Sequence, residues 1–218
     1  MASFEVIEDE GARCVRATLD NETIHAERGA LCYMFGKIKV DARLPSAGWM
    51  IKSMLSEESL IRPTFTGTGV VYLESSFGGF HVIDLGAEPW ILESGSYWAS
   101  EESVRLHVFR ESMVTSFWAG DGVFDFQTEA AGPGKVVVTC AGPIEEIVLN
   151  DEQLSTNGKF VVARTKGISY SIRRTAKTRF GSRLTGDRWV RLYQGTGTIL
   201  MSSYPYWRLK LRQQAGSD

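Results

Sequence analysis

Apolar and polar residues alternate with a period of two along much of the chain. Lys37-Ile38-Lys39-Val40-Asp41-Ala42-Arg43-Leu44 alternates strictly, which predicts an antiparallel strand with one wet face. Ser103-Val104-Arg105-Leu106-His107-Val108 alternates again, with Val114–Trp118 as its pairing partner. Phe4, Val6, Cys14, Val15, Ala17 and Leu19 give residues 4–19 the pattern of a half-buried strand pair. Shorter runs bounded by turn residues, Val70–Leu73, Phe80–Leu85 and Trp90–Glu93, read as further strands. Pro45–Gly48 reads as a turn, and Asp121-Gly122 and Gly186-Asp187 as hairpin turns. Met50–Leu60 is the one modest helix candidate, with apolar spacing that fits a strand nearly as well. The pattern predicts an all-β protein.

The order of parts repeats. Leu19-Asp20-Asn21-Glu22, Leu85-Gly86-Ala87-Glu88 and Leu149-Asn150-Asp151-Glu152 stand 66 and then 64 residues apart, and each precedes a glycine (Gly29, Gly95, Gly158). A Gly-x-Gly pair, read as a turn, recurs as Gly67/Gly69, Gly132/Gly134 and Gly195/Gly197. Glu22, Glu88 and Glu152 read as turn residues. One unit of about 65 residues is too small to bury its own apolar face, so three must share a core. The expectation is a single all-β domain over residues 1–212, with units of about 1–65, 66–130 and 131–212 and a flexible tail at 213–218. The C-terminal strand is expected to close onto the N-terminal unit, which would remove a sheet edge.

Composition fits one large β-domain: 218 residues, 22 glycines and 43% apolar residues. The N-terminus is acidic, without the basic and apolar segments of a signal peptide, and no stretch approaches the roughly 20 apolar residues of a membrane span. Cys14, Cys32 and Cys140 are widely spaced and read as buried thiols in a cytoplasmic protein. Charge is uneven. Residues 164–212 hold twelve Lys/Arg and the single acid Asp187, leaving twelve bases against twenty-five acids elsewhere.

The pieces Ala26-Glu27-Arg28-Gly29-Ala30-Leu31-Cys32-Tyr33-Met34, Gly67-Thr68-Gly69-Val70-Val71-Tyr72-Leu73 and Gly195-Thr196-Gly197-Thr198-Ile199-Leu200 resemble the altered-inheritance-of-mitochondria (mitochondrial biogenesis) family. The likeness spans nearly the whole chain as a pattern of turns and strands and is closest to the family's bacterial branch, since no mitochondrial presequence is visible. It implies a three-fold pseudo-symmetric β-structure of the tryptophan-RNA-binding-attenuation-protein-like type, a double-stranded β-helix or β-sandwich. It implies no established activity and no catalytic residues.

Candidate chemistry is sparse. His81 and Glu88, with six residues between Glu88 and Gly95, echo half of a cupin metal site, and His25 sits near the matching turn of the first unit. A cupin set needs a second imidazole two residues on, where Ile83 stands, and the glutamate recurs in all three units while the histidine does not. A structural role is therefore the simpler reading of Glu88, and no cofactor is expected. There is no Gly-x-Ser-x-Gly elbow and no Walker loop, and the Gly-x-Gly pairs precede strands rather than helices.

Three functions remain. The first is a non-enzymatic scaffold that forms a homo-oligomer through its basic and acidic parts. The second is a polyanion-binding module for RNA or an anionic membrane surface, using Arg173, Arg174, Lys177, Arg179 and Arg183. The third, a remote alternative, is a cupin-like metal-dependent enzyme at His81, Glu88 and His25. The scaffold is the reading the sequence favours.

Overall fold

The computed structural model describes residues 2–42, 62–76, 78–110, 126–156, 159–174 and 189–202. Met50–Leu60, the turns at Pro45–Gly48, Asp121-Gly122 and Gly186-Asp187, the strand expected at Val114–Trp118 and the tail at 213–218 lie outside the described residues. Within them the chain is all-β: fourteen strands in two seven-stranded antiparallel sheets, with no helix.

β1 (Ser3–Asp9) and β2 (Ala12–Ala26) form a hairpin around Glu10-Gly11, both at positive φ, as a two-residue primed turn requires. The remaining strands fall into three groups, each with a Gly-x-Gly strand in the middle. β4 (Thr64–Ser76) lies between β2 and β3 (Leu31–Asp41). β10 (Gly134–Cys140) lies between β5 (Gly79–Leu85) and β7 (Tyr97–Glu101), and β9 (Phe126–Ala131) between β6 (Trp90–Leu92) and β8 (Arg105–Arg110). β14 (Trp189–Met201) lies between β11 (Glu145–Thr156) and the successive β12 (Val161–Thr165) and β13 (Ser169–Arg174). The middle group is broken between sheets. β5, β7 and β10 complete the sheet of β1–β4, and β6, β8 and β9 complete the sheet of β11–β14.

The recurring sequence signals meet one another in space. Leu19 pairs with Gly69, Leu85 with Gly134 and Leu149 with Gly197. The N–H groups of Glu74, Thr139 and Ser202 donate to the carbonyls of Ala30, Ser96 and Phe160 at 2.6, 2.7 and 2.8 Å. Each leucine is buried in a separate apolar cluster: Leu19 with Val15, Phe65 and Val71; Leu85 with Leu92, Val136 and Leu200; Leu149 with Tyr170, Tyr193 and Ile199. The second cluster draws on both sheets and joins them.

Three expectations are corrected. Gly67, Gly69, Gly195 and Gly197 are not turns but interior residues of β4 and β14; Gly134 opens β10, and only Gly132 lies in a bend. The physical reason is close approach. Gly67 and Gly69 have φ of 143° and 152°, and a Cβ on either would run into the backbone carbonyl of Lys37 or Phe35 on β3. Glu22 and Glu152 likewise stand inside β2 and β11, just past bulges at Asn21 and Asp151, whereas Glu88 lies in a bend. Last, among the described residues β14 forms no ladder with the N-terminal strands. It pairs with β11, β12 and β13, because each Leu-x-x-Glu strand is matched by the Gly-x-Gly strand that follows it in the chain. Gly67 and Gly69 thereby group with residues 12–42 rather than opening a second unit at 66.

Candidate functional site

β3 is the most unusual surface among the described residues. Among the described residues it is the end strand of its sheet and pairs with β4 alone. Only Ile38 is even half-buried; every other residue of Leu31–Asp41 is exposed. The predicted single wet face of Lys37–Leu44 is therefore corrected as far as Asp41: both faces are largely wet, since only Ile38 packs against the first apolar cluster while Val40 stays exposed. The strand nonetheless carries Leu31, Tyr33, Met34, Phe35 and Val40, all large, apolar and exposed. Tyr33 stacks on Tyr72 of β4, ring centroids 4.4 Å apart, which fixes one face of this patch.

The second sheet buries a polar chain that the sequence did not signal. Glu93 Oε1 accepts from Gln127 Nε2 at 3.0 Å, and Gln127 Oε1 accepts from Arg164 Nη2 at 3.2 Å. Arg164 is 1% exposed, with its guanidinium 5.9 Å from the Phe109 ring and 6.0 Å from the Tyr170 ring. Buried Arg191 lies 5.8 Å from the same Tyr170 ring. Tyr170 and Tyr193 pack at 5.2 Å, and burial, ahead of the charge of Glu93, pushes the Tyr193 phenol well above its ordinary pKa. Charge-assisted bonds and cation–π contact offset the desolvation of these guanidinium groups. The only sequence hint was arginine within apolar strands.

This arrangement changes the basic third. Arg164 and Arg191 belong to the interior, and Lys166 Nζ bonds to the Glu129 carboxylate at 2.9 Å. Arg173 is exposed on β13; of Arg174 the structure describes the backbone, paired with Trp189. Lys177, Arg179 and Arg183 lie outside the described residues. Tyr170 and Tyr193 are core residues.

The cupin-like set is not assembled. His81 lies on β5 opposite Val138, while His25 lies on β2 between Thr64 and Ser100. Glu88 sits in the bend before β6, where its Oε1 accepts the Gly167 N–H at 3.2 Å. Burial holds the His81 imidazole below its usual pKa, with Glu146 opposing. No group of three or more His, Cys, Asp or Glu among the described residues is placed to hold a metal ion. The thiols also divide. Cys140 is buried, which pushes its pKa up to about 11, Cys14 is half-buried, and Cys32, expected inside, is exposed on the edge strand β3.

Fold and surface together define an antiparallel two-sheet β-protein with a wide apolar edge strand. Residues 4–204 match the family described as mitochondrial biogenesis AIM24, and the chain belongs to that family. The crystal structure of protein SPYM3_0169 from Streptococcus pyogenes is similar in fold, with a TM-score of 0.73 at 21% identity over 100% of this chain and 98% of that one. No curated protein matches the chain. No helix among the described residues is long and apolar enough to cross a membrane.

Proposed function

We propose that this protein is a non-enzymatic scaffold that self-assembles into a homo-oligomer. The observation that carries the reading is β3, an end strand with five exposed large apolar residues. Such an edge presents a row of backbone N–H and C=O groups ready to pair, and monomeric proteins blunt it with charge, proline or a covering element. Here the apolar half, Leu31–Phe35, carries neither a charged residue nor a proline. Contiguous apolar surface of this kind marks interaction sites. The recurring registers of Leu19, Leu85 and Leu149 support reading the three strand groups as pseudo-equivalent units of a three-fold, tryptophan-RNA-binding-attenuation-protein-like structure. The free thiols, one of them exposed, suit a reducing compartment such as the cytoplasm.

Light scattering over a range of protein and salt concentrations tests the reading. A mass above that of one chain that rises with concentration supports it; a monomer throughout ends it. The exposed Arg173 keeps RNA or an anionic membrane surface as a second reading, and undetectable binding to either at low salt, where phosphate contacts are strongest, removes it.

A further inference from the structure

Two seams join the three strand groups, and they share one register. In the first, Ile24 pairs with Glu101, His25 with Ser100 and Ala26 with Ala99. In the second, Trp90 pairs with Thr165, Ile91 with Arg164 and Leu92 with Ala163. On one side the residues stand five, six and seven places after Leu19 or Leu85. Flanking backbone bonds match too. Glu102 donates to Thr23 O and Lys166 to Pro89 O at 3.3 and 2.9 Å; Glu27 donates to Trp98 O and Glu93 to Val162 O at 2.7 and 3.0 Å.

The chain carries the two halves of a third seam, at opposite ends of its sheets. Counting five and six places from Leu149 reaches Leu154 and Ser155 on β11, the end strand of the second sheet. Tyr33, Met34 and Phe35 on β3 hold the ladder positions, just past a bulge, that Ala99–Glu101 and Ala163–Thr165 hold in the other groups. Those six residues are at most 4% exposed, whereas Tyr33, Met34 and Phe35 are 54%, 41% and 78% exposed. Ser155 is exposed, and no ladder among the described residues joins β11 to β3.

Building on the self-assembly reading, we propose that β11 of one copy pairs antiparallel with β3 of the next, in the register of the two internal seams. Leu154 then lies opposite Phe35 of the next copy and Ser155 opposite Met34. Two places further along, Glu152 lies opposite Lys37. In the second seam the same two positions are Glu88 and Gly167, already joined by the carboxylate to N–H bond at 3.2 Å. The contact therefore adds one pair of opposite charges to the apolar pair Leu154–Phe35, both stabilising across strands. It is head-to-tail: the surface on one copy differs from the surface it meets, so assembly gives a closed ring or an open filament.

The test uses full-length protein with Cys14→Ser and Cys32→Ser, leaving buried Cys140, and adds Met34→Cys or Ser155→Cys. Opposed positions in an antiparallel ladder lie within disulfide reach. Under mild oxidation the head-to-tail contact predicts preferential cross-linking in an equal mixture of the two variants and none in either alone. Self-linking of one variant makes the contact two-fold and overturns the proposal. An intrachain disulfide in a monomeric Met34→Cys/Ser155→Cys double variant places the third seam inside one chain and also overturns it. An oligomer without cross-links in the mixture leaves the scaffold reading standing and removes this contact; a monomeric wild type removes both. As a second measure, Lys37→Glu should lower the assembled mass seen by light scattering, and adding Glu152→Lys to the same chain should restore it. Failure of the paired change to restore what the single change loses counts against the register.

Discussion

The backbone N–H of Asn21 donates to Thr68 Oγ1 at 3.0 Å, across the bulge that interrupts β2 opposite β4. Asp151 and Thr196 repeat the contact at 3.1 Å between β11 and β14. Asn21 and Asp151 have φ of 57° and 58°, the left-handed region that Asn and Asp tolerate best after glycine. The bulge frees one N–H from the ladder and the threonine hydroxyl takes it. Thr68→Val should cost about 1 kcal/mol, the worth of one such bond. Asn21→Val should cost more than Asn21→Gly, since a β-branched residue is strained at this φ. Urea unfolding of the three variants measures both.

Gly69 offers a sharper case. It pairs with Gly36 across the ladder at a φ of 152°, and a methyl group there meets the carbonyl of the preceding Phe35. Gly69→Ala should destabilise by about 2–5 kcal/mol, from strain plus overpacking. Gly11→Ala, in the hairpin where a Cβ meets nothing within 4 Å, should cost only the strain of its φ of 81°. Equal losses at the two sites in thermal unfolding would remove close approach as the reason for glycine in β4.

The polar chain on the second sheet can be tested at its centre. Gln127 links Glu93 to Arg164, and Gln127→Leu removes both bonds where water does not reach. A loss of about 2–4 kcal/mol is expected, because charged partners lose their link in a buried site. A shift within about 0.5 kcal/mol in denaturant unfolding would mean the network contributes nothing measurable.

His81 sets a pH dependence. The fold holds its imidazole neutral, with a pKa lowered mainly by burial. As pH falls through about 6.5, the unfolded chain binds the proton first, so stability is complete above that value and declines below it towards the folded pKa. His81→Gln should flatten this limb of the stability profile between pH 5 and 7. An unchanged slope would assign the limb to other groups.

The class of the fold was legible because period-two alternation and turn glycines are local signals. Leu19, Leu85 and Leu149 were legible as recurring marks, and their burial explains why. The role of the Gly-x-Gly pairs was not. A glycine in a turn and a glycine beneath a neighbouring carbonyl look alike in sequence, and only the β3 ladder separates them. Arg164 misled for a similar reason. Counted by charge it joins a basic surface, while Gln127, 37 residues away, makes it an interior residue. Tyr33, Met34 and Phe35 read as ordinary strand residues beside Ser96–Ala99, because exposure of an edge depends on sheet order, which no short stretch encodes.

The central claim is that β3 is covered by another copy of the chain. Hydrogen exchange read by mass spectrometry at several protein concentrations tests it most directly. Protection of Leu31–Asp41 and Glu145–Thr156 should rise together with concentration, while interior β10, Gly134–Cys140, stays constant. Exchange in all three segments that is independent of concentration, in a protein that remains monomeric, would contradict the account.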